Sequence, residues 1–600
     1  MSQASLGQGG QAASPAEPAG ASAPAPPRPD GTPAPPRPDD TAAPPQPDGT
    51  TATGTGVTHP DREPARAGTL AQTDAARAGD WRARAARWAP AGAAALAMLA
   101  LGLWGLARDS SMGNDEVATR WAAVISLRDL AHLLNNQDAV HGLYYLLMHA
   151  WVAVGSSPEV LRIPSVLAMT VAVVLVTVLT GRLTGSGWAA LFAGLIMALT
   201  PMISYYAQTA RSYAMVLACV VGATLVLVHA LAAEKAGAPR RRVERWWLAY
   251  GALIVLGGYL NEMSLLVLAA HAVTVLIARY GRQVVQHWAV TAAVSAVLVA
   301  PLVLDSIRQN GEVRWIPRPG LNDLRFLFHD YFGSTAGIAV LLLGFAVLAV
   351  LPSGRGPRRP ATSAAPAPAD PGAPAPPWWR GGVSLPSVAA PLLVVPALLL
   401  ILESLIAKPL YVDRYVLYGE AGAAMLAGTG LWRAGQWLSR RLGRRPALLW
   451  VPGVVVCACV LSLQLGPQHK FRTPASRQFD FGGPSRYVGA NAHQGDGVMY
   501  FGNLFRKAEL GYPEDYAKTM DFGMAESPAR AGSFRGRDKK FPAVHPLMLE
   551  YRRIWVIGHV PSPRLSDPRL RAESAVLRQR FRVIAERRFH GIVVTLWQRR

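Results

Sequence analysis

The chain has 600 residues, of which 51% are hydrophobic and only 16% charged. An ordinary soluble protein has about a quarter of its residues charged, so this composition excludes a purely soluble chain. The net charge of +22 does not indicate nucleic acid as a partner, because the Lys and Arg cluster in short loops between apolar runs, as they do on the cytoplasmic side of membrane proteins. Cys219, Cys457 and Cys459 all lie in apolar runs, which argues against a disulfide framework.

Residues 1–80 are rich in Pro, Ala, Gly, Asp and Thr, and "APPRPDGT" (25–32), "APPRPDDT" (34–41) and "APPQPDGT" (43–50) repeat with a period of nine. Such a composition cannot bury a core and reads as a disordered or polyproline-like cytoplasmic tail. "WRARAARW" (81–88) then places basic and aromatic residues at a membrane surface and sets the N-terminus inside. No cleavable signal peptide is expected, since the first apolar run starts near Pro90 after the long polar leader.

Apolar runs follow near 89–107, 163–183, 187–204, 212–232, 247–260, 262–280, 284–304, 334–352, 385–407, 413–433 and 447–465. Read together they predict about eleven transmembrane helices in residues 81–465, with a Pro-rich cytoplasmic loop at 353–384. "GLYYLLMHAWVAVG" (142–155) is too short to cross and is read as re-entrant or interfacial. With that segment kept on one side, the Arg-rich loops all fall inside. Residues 108–162 then form a long external loop, in which "EVATRWAAVISLRDLAHLL" (116–134) fits one amphipathic helix. Residues 466–600 read as a small external α/β domain, with strands at "GVMYFG" (497–502), "RIWVIGHV" (553–560) and "GIVVTLWQR" (591–599) and a helix within 568–584. The domain is read as a lid or stabilising element, with acceptor binding through stretches such as "RRFHG" (587–591) as the other option.

On this topology Asp115, Glu116, Asp138 and His141 share the first external loop, while Arg211, Arg314 and Arg414 each lie in a later external turn. Ionisable residues gathered beside a membrane are functional candidates, although a lone acid at a helix end is more often a solvated anchor. A carboxylate can take a proton from an acceptor hydroxyl, and arginines can neutralise a leaving phosphate. Tyr205, Tyr206, Tyr213 and Trp315 can line a groove for a sugar or polyprenyl chain, although aromatics there also serve as interfacial belts.

These residues resemble those of the GT-C fold glycosyltransferases, in the bacterial branch related to protein O-mannosyltransferases and aminoarabinose transferases. "NDEVAT" (114–119), "DAVHGLYYLLMHAWVAVGSSPEVLRIPSVL" (138–167), "SYYAQTARSYAMVLA" (204–218) and "KPLYVDRYVLYGEAGAAMLAG" (408–428) carry the resemblance, which spans roughly residues 90–435. It implies a membrane transferase moving a mannose-like or other sugar from a polyprenyl-phosphate donor to a lipid, glycan or protein acceptor outside the plasma membrane, with inversion. By the same resemblance Asp115 is the general base and Glu116 orients it or binds acceptor. Asp138, His141, Tyr205, Tyr206, Gln208, Arg211, Tyr213, Arg314, Arg414 and Tyr415 are implied to bind the donor phosphate or sugar. The cofactor stays open: a hard cation such as Mg²⁺ suits Glu116, Asp138 and His141, but no closed ligand set is readable. Thr209 stands where many relatives carry Glu, Gly142 replaces a common Pro, and Asn261 replaces a His. The competing classes are a transporter or flippase of lipid-linked sugars, and a non-catalytic assembly factor on the same fold.

Overall fold

The computed structural model describes residues 85–107, 111–351, 383–559 and 567–600. The expected N-terminal tail with its repeats, residues 81–84 of the basic-aromatic segment and nearly all of the Pro-rich loop lie outside the described residues.

All eleven expected spans fall on helices. Six are long and apolar enough to cross a membrane: Ala85–Leu103, Pro158–Thr184, Tyr213–Lys235, Arg282–Arg308, Leu385–Ile406 and Val451–Lys470. Two more expected spans fall on bent pairs. Gly187–Leu199 and Pro201–Ala207 meet at 66°, where Thr200 is extended and Pro201 opens the second helix. Leu321–Phe332 and Ala336–Val350 meet at 70°, where Gly333 takes φ 119°. The remaining three expected spans correspond to Arg240–Leu260, Glu262–Ile277 and Gly419–Arg441, which fall short in length or apolarity. The last is nevertheless the most enclosed of these three, since nearly every residue of its first half is buried. Its glycines permit this: a Cβ at Gly428 would stand 2.3 Å from Ala193 N, and one at Gly430 1.7 Å from the Phe345 carbonyl oxygen.

The segment expected to be re-entrant or interfacial forms a ten-residue helix, Gly142–Trp151, too short to span. The single amphipathic helix expected at 116–134 is instead two, Asn114–Val124 and Leu127–Asn136. Ile125 and Ser126 are extended, and the Ser126 hydroxyl accepts from Asp129 N–H at 3.1 Å, capping the second helix. Of the apolar side chains in these two helices, Val117, Trp121 and Leu130 are buried while Val124 and Leu127 remain exposed.

The C-terminal region contains strands β1 (Asp496–Phe501), β2 (Thr519–Asp521), β3 (Met524–Glu526), β4 (Arg537–Asp538), β5 (Arg553–Gly558), β6 (Phe581–Phe589) and β7 (Ile592–Arg599). Five form a mixed sheet in the order β2-β1-β5-β7-β6, in which β1 is parallel to β2 and β5, and β7 antiparallel to β5 and β6. Strand alternation divides its side chains between two cores. Ile554 and Val556 pack with Val544, Met548 and Leu577, whereas Trp555 and Ile557 join the large core that continues into the helical bundle. The domain is thereby welded to the first loop. Met112 N–H donates to the Tyr512 hydroxyl at 2.6 Å and Ser111 Oγ to Asp480 at 2.6 Å. All described residues belong to one compact unit, 74–600.

Candidate active site

Gly113 caps the helix Asn114–Val124 in an extended conformation, which sets Asp115 and Glu116 in its first turn. Successive helical side chains point about 100° apart, so the two acids face different surroundings. Glu116 is almost fully buried. It accepts from Arg162 at 2.8 and 2.9 Å, from Gly113 N–H at 3.0 Å and Ala210 N–H at 3.1 Å, and also pairs with Arg477. Burial works to raise its carboxyl, but Arg162 and Arg477 outweigh this and hold it down at about 2. With both oxygens committed, Glu116 is a structural hub; the expected acceptor or metal contact has no lone pair facing an opening.

Asp115 keeps 37% of its side chain accessible and lies 3.5 Å from Arg211. Burial favours its neutral form, yet Arg211, Arg414 and Lys507 hold the carboxyl well below the ordinary range, with solvent at the mouth screening part of that field. Thr119 Oγ1 donates to the Ala210 carbonyl at 2.9 Å while Ala210 N–H reaches Glu116, so both polar groups of Ala210 fasten the 208–212 turn to this helix. That clamp fixes Arg211 against Asp115.

Asp138 adopts a left-handed conformation, φ 62°, and opens the short 3-10 turn Ala139–His141. Its carboxylate accepts from the Tyr145 hydroxyl and lies 3.7 Å from Arg211. Arg211 in turn donates to the Tyr145 hydroxyl at 2.7 Å. Asp115, Asp138, Tyr145 and Arg211 therefore form one polar cluster. Burial works to raise Asp138, and His141 and Arg211 overcome it and lower its carboxyl. His141 is buried with no hydrogen-bond partner at Nδ1. Burial, reinforced by Arg211, lowers it to about 4, so its ring is neutral at physiological pH.

Arg414 arrives from the 3-10 turn Asp413–Val416. It donates to the Tyr213 hydroxyl at 3.0 Å and stacks against Trp315 at 5.6 Å and Tyr415 at 5.5 Å. No carboxylate bridges to it among the described residues. Tyr205, Tyr206 and Tyr213 pack ring on ring at 5.1 and 5.4 Å, and the Tyr206 hydroxyl reaches Asp413 at 3.4 Å. Tyr415 also lines a cavity of about 290 Å³, together with Val140, Asn261, Glu262, Glu403 and Lys408.

The structure thus brings together Asp115, Asp138, His141, Arg211, Tyr213, Arg414 and Tyr415. Two expected residues stand elsewhere. Gln208 spends its amide on the carbonyls of Gly102 and Trp104, both at 2.8 Å, tying the turn to the end of the first helix. Arg314 is exposed and its side chain contacts none of these groups, whereas its neighbour Trp315 does reach Arg414. Among the described residues, no group of three His, Cys, Asp or Glu is arranged to hold a metal ion. Sequence reading passed over Tyr145, Arg162, Arg477 and Lys507. Tyr145 lay inside the quoted juxtamembrane segment, and Arg162 is a charge at the mouth of an apolar run; Arg477 and Lys507 have no local signal.

Residues 140–304 match the family model described as dolichyl-phosphate-mannose-protein mannosyltransferase. Two solved structures of ArnT from Cupriavidus metallidurans are similar in fold. The one bound to undecaprenyl phosphate is 15% identical over 83% of this chain and 96% of that one, with a TM-score of 0.51. The apo form is 14% identical over the same shares, with a TM-score of 0.50. None of the curated proteins matches the chain in sequence. A multi-pass helical membrane protein with an α/β C-terminal region, it carries the GT-C fold of membrane glycosyltransferases, with the mannosyltransferase family model matched over residues 140–304.

Proposed function

We propose that this protein is an integral membrane glycosyltransferase that moves a sugar from a polyprenyl-phosphate donor to an acceptor oxygen on the external face of the plasma membrane. The observation that carries the reading is the pairing of a half-exposed carboxylate, Asp115, with Arg211 at 3.5 Å, next to a second cation, Arg414, that has aromatic partners and, among the described residues, no carboxylate within ion-pair distance. An arginine whose donors are not taken up by a bridging carboxylate is matched to an anionic ligand. The ArnT relative binds undecaprenyl phosphate, a ligand of that chemistry.

In this reading Asp115 takes the acceptor proton. The acceptor oxygen bonds to the sugar's anomeric carbon from the face opposite the phosphate, with inversion. The bond to the phosphate oxygen breaks, and the electron pair leaves with the polyprenyl phosphate, whose charge Arg211 and Arg414 take up. Binding the anionic donor also offsets the arginine field that keeps Asp115 weakly basic, so Asp115 becomes a better base once the donor is seated. The cavity beside Tyr415 holds the sugar, a mannose-like hexose or a pentose. A divalent cation does not fit the residues present, because Glu116 is saturated by arginines and Asp138 is committed to Tyr145 and Arg211.

Support for the external placement comes from the helix Tyr213–Lys235, which separates Arg211 from the basic segment at 235–245 by one membrane-length of helix, the arrangement expected when the basic segment is cytoplasmic. Transfer of label from polyprenyl-phosphate mannose or polyprenyl-phosphate pentose, in proteoliposomes supplied with a membrane extract as acceptor, tests the reading. Asp115→Asn is expected to lower turnover by about 10²- to 10⁴-fold at an unchanged protein level. Normal turnover in that variant removes Asp115 as the base, and labelled donor that crosses the bilayer untransferred supports a flippase instead.

A further inference from the structure

The C-terminal domain reaches the cluster at two places. Phe534 packs edge-on to Trp121 at 5.5 Å and Tyr145 at 6.5 Å, and its N–H donates to the Gln137 side chain at 3.3 Å. Lys507 is buried beneath it, its ammonium 5.1 Å from the Phe534 ring. That ammonium donates to the backbone carbonyl of Asn114 at 3.3 Å, immediately beside Asp115. Its other two donors have no partner among the described residues.

The adjacent residue shows the contrast. Arg506 is saturated by Asp521 and Asp538, both at 2.7 Å, inside its own domain. A buried ammonium with unused donors is costly unless oxygen ligands reach it. Asp115, Arg211, Asp138 and Arg535 are the charged side chains that act on Lys507, and neither acid forms an ion pair with it. The oxygen that would complete Lys507 therefore belongs beside Asp115, where an acceptor must place its nucleophile.

We propose that Lys507 contacts the acceptor, donating a hydrogen bond to the nucleophilic oxygen as Asp115 removes its proton, so that the C-terminal domain completes the acceptor side of the site. This rests on the transferase reading above. Lys507 keeps its own protons throughout, and stabilises the negative charge that gathers on the oxygen before it bonds to the sugar. Burial lowers Lys507 to about 8, against the pull of Asp115. The cation is then present below pH 8 and lost above it, which places an alkaline limb on the rate there.

The test uses the full-length protein in proteoliposomes with labelled polyprenyl-phosphate mannose or pentose and a membrane extract as acceptor. Lys507→Met is expected to raise the half-saturating amount of acceptor, or to cut kcat, at least tenfold while the KM for donor stays within twofold. Lys507→Arg is expected to restore most of the activity and to move the alkaline limb up by more than one pH unit. If Lys507→Met fails to fold, the position of that limb in Lys507→Arg decides. A Lys507→Met protein with both wild-type kcat and wild-type half-saturation by acceptor, or a Lys507→Arg protein with an unmoved limb, overturns the proposal while leaving the transferase reading intact. A wild-type protein that transfers label from neither donor sinks the transferase reading and this proposal with it.

Discussion

Arg162 holds Glu116 at two points, Nε to Oε1 at 2.8 Å and Nη2 to Oε2 at 2.9 Å, with both side chains almost wholly enclosed. Arg477 closes on the same carboxylate, and Ala210 N–H adds a further bond. One acid thereby joins the first loop, the helix Pro158–Thr184, the 208–212 turn and the C-terminal domain.

Removing that carboxylate takes the bridging negative charge from two largely enclosed guanidinium groups, Arg162 and Arg477. Glu116→Gln is expected to cost about 3 kcal/mol or more. Thermal unfolding in detergent should show the loss, together with lower protein yield. Asp115→Asn, at a half-exposed position, should leave the unfolding temperature close to wild type while lowering transfer by about 10²- to 10⁴-fold. Equal stability in both variants would mean that Glu116 is not the hub described.

In the proposed transferase Arg414 binds the donor phosphate with a guanidinium that lies over the rings of Trp315 and Tyr415. Lysine keeps the charge but loses the stack and the fork. Arg414→Lys is expected to raise the donor KM about tenfold and Arg414→Ala about a hundredfold, with acceptor dependence little changed. Steady-state titration of donor against acceptor separates the two effects.

His141 makes stability fall in acid. Its pKa drops from 6.5 in the unfolded chain to about 4 in the native state, because burial and Arg211 oppose its charged form. Above about pH 6.5 the ring is neutral in both states. As pH falls from there toward 4, the unfolded chain takes up the proton first, and stability is lost by on the order of 3 kcal/mol. His141→Gln should flatten that part of the profile, and the difference between wild-type and variant unfolding curves at pH 7, 5.5 and 4 isolates this group from the carboxylates.

Packing of the helix Gly419–Arg441 rests on glycine. Any side chain at Gly430 would collide with the Phe345 carbonyl, which is backbone and cannot swing aside. Gly430→Ala is expected to cost roughly 2–3 kcal/mol through forced helix separation, whereas Gly443→Ala, at a site with open space but φ 81°, should cost less. Unfolding midpoints of the two variants compare them directly.

Much of this protein was legible in the chain itself. Apolar length marked the position of every spanning helix, because the bilayer core demands it. Strand alternation marked β1, β5 and β7, whose side chains divide between two cores. It missed β6, where exposed Arg and Glu hide the period and the preceding helix runs directly into the strand. The acids after the first helix stood out by charge alone. Their division of labour did not, since Asp115 and Glu116 are neighbours of nearly the same chemistry. Helical rotation turns one toward the mouth and the other toward Arg162 and Arg477, which arrive from 46 and 361 residues away. Lys507 and Tyr145 entered the cluster the same way. Local sequence fixes periodicity and burial, but the partner of a buried charge is chosen by packing between distant elements, and that choice alone made Asp115 open and Glu116 closed.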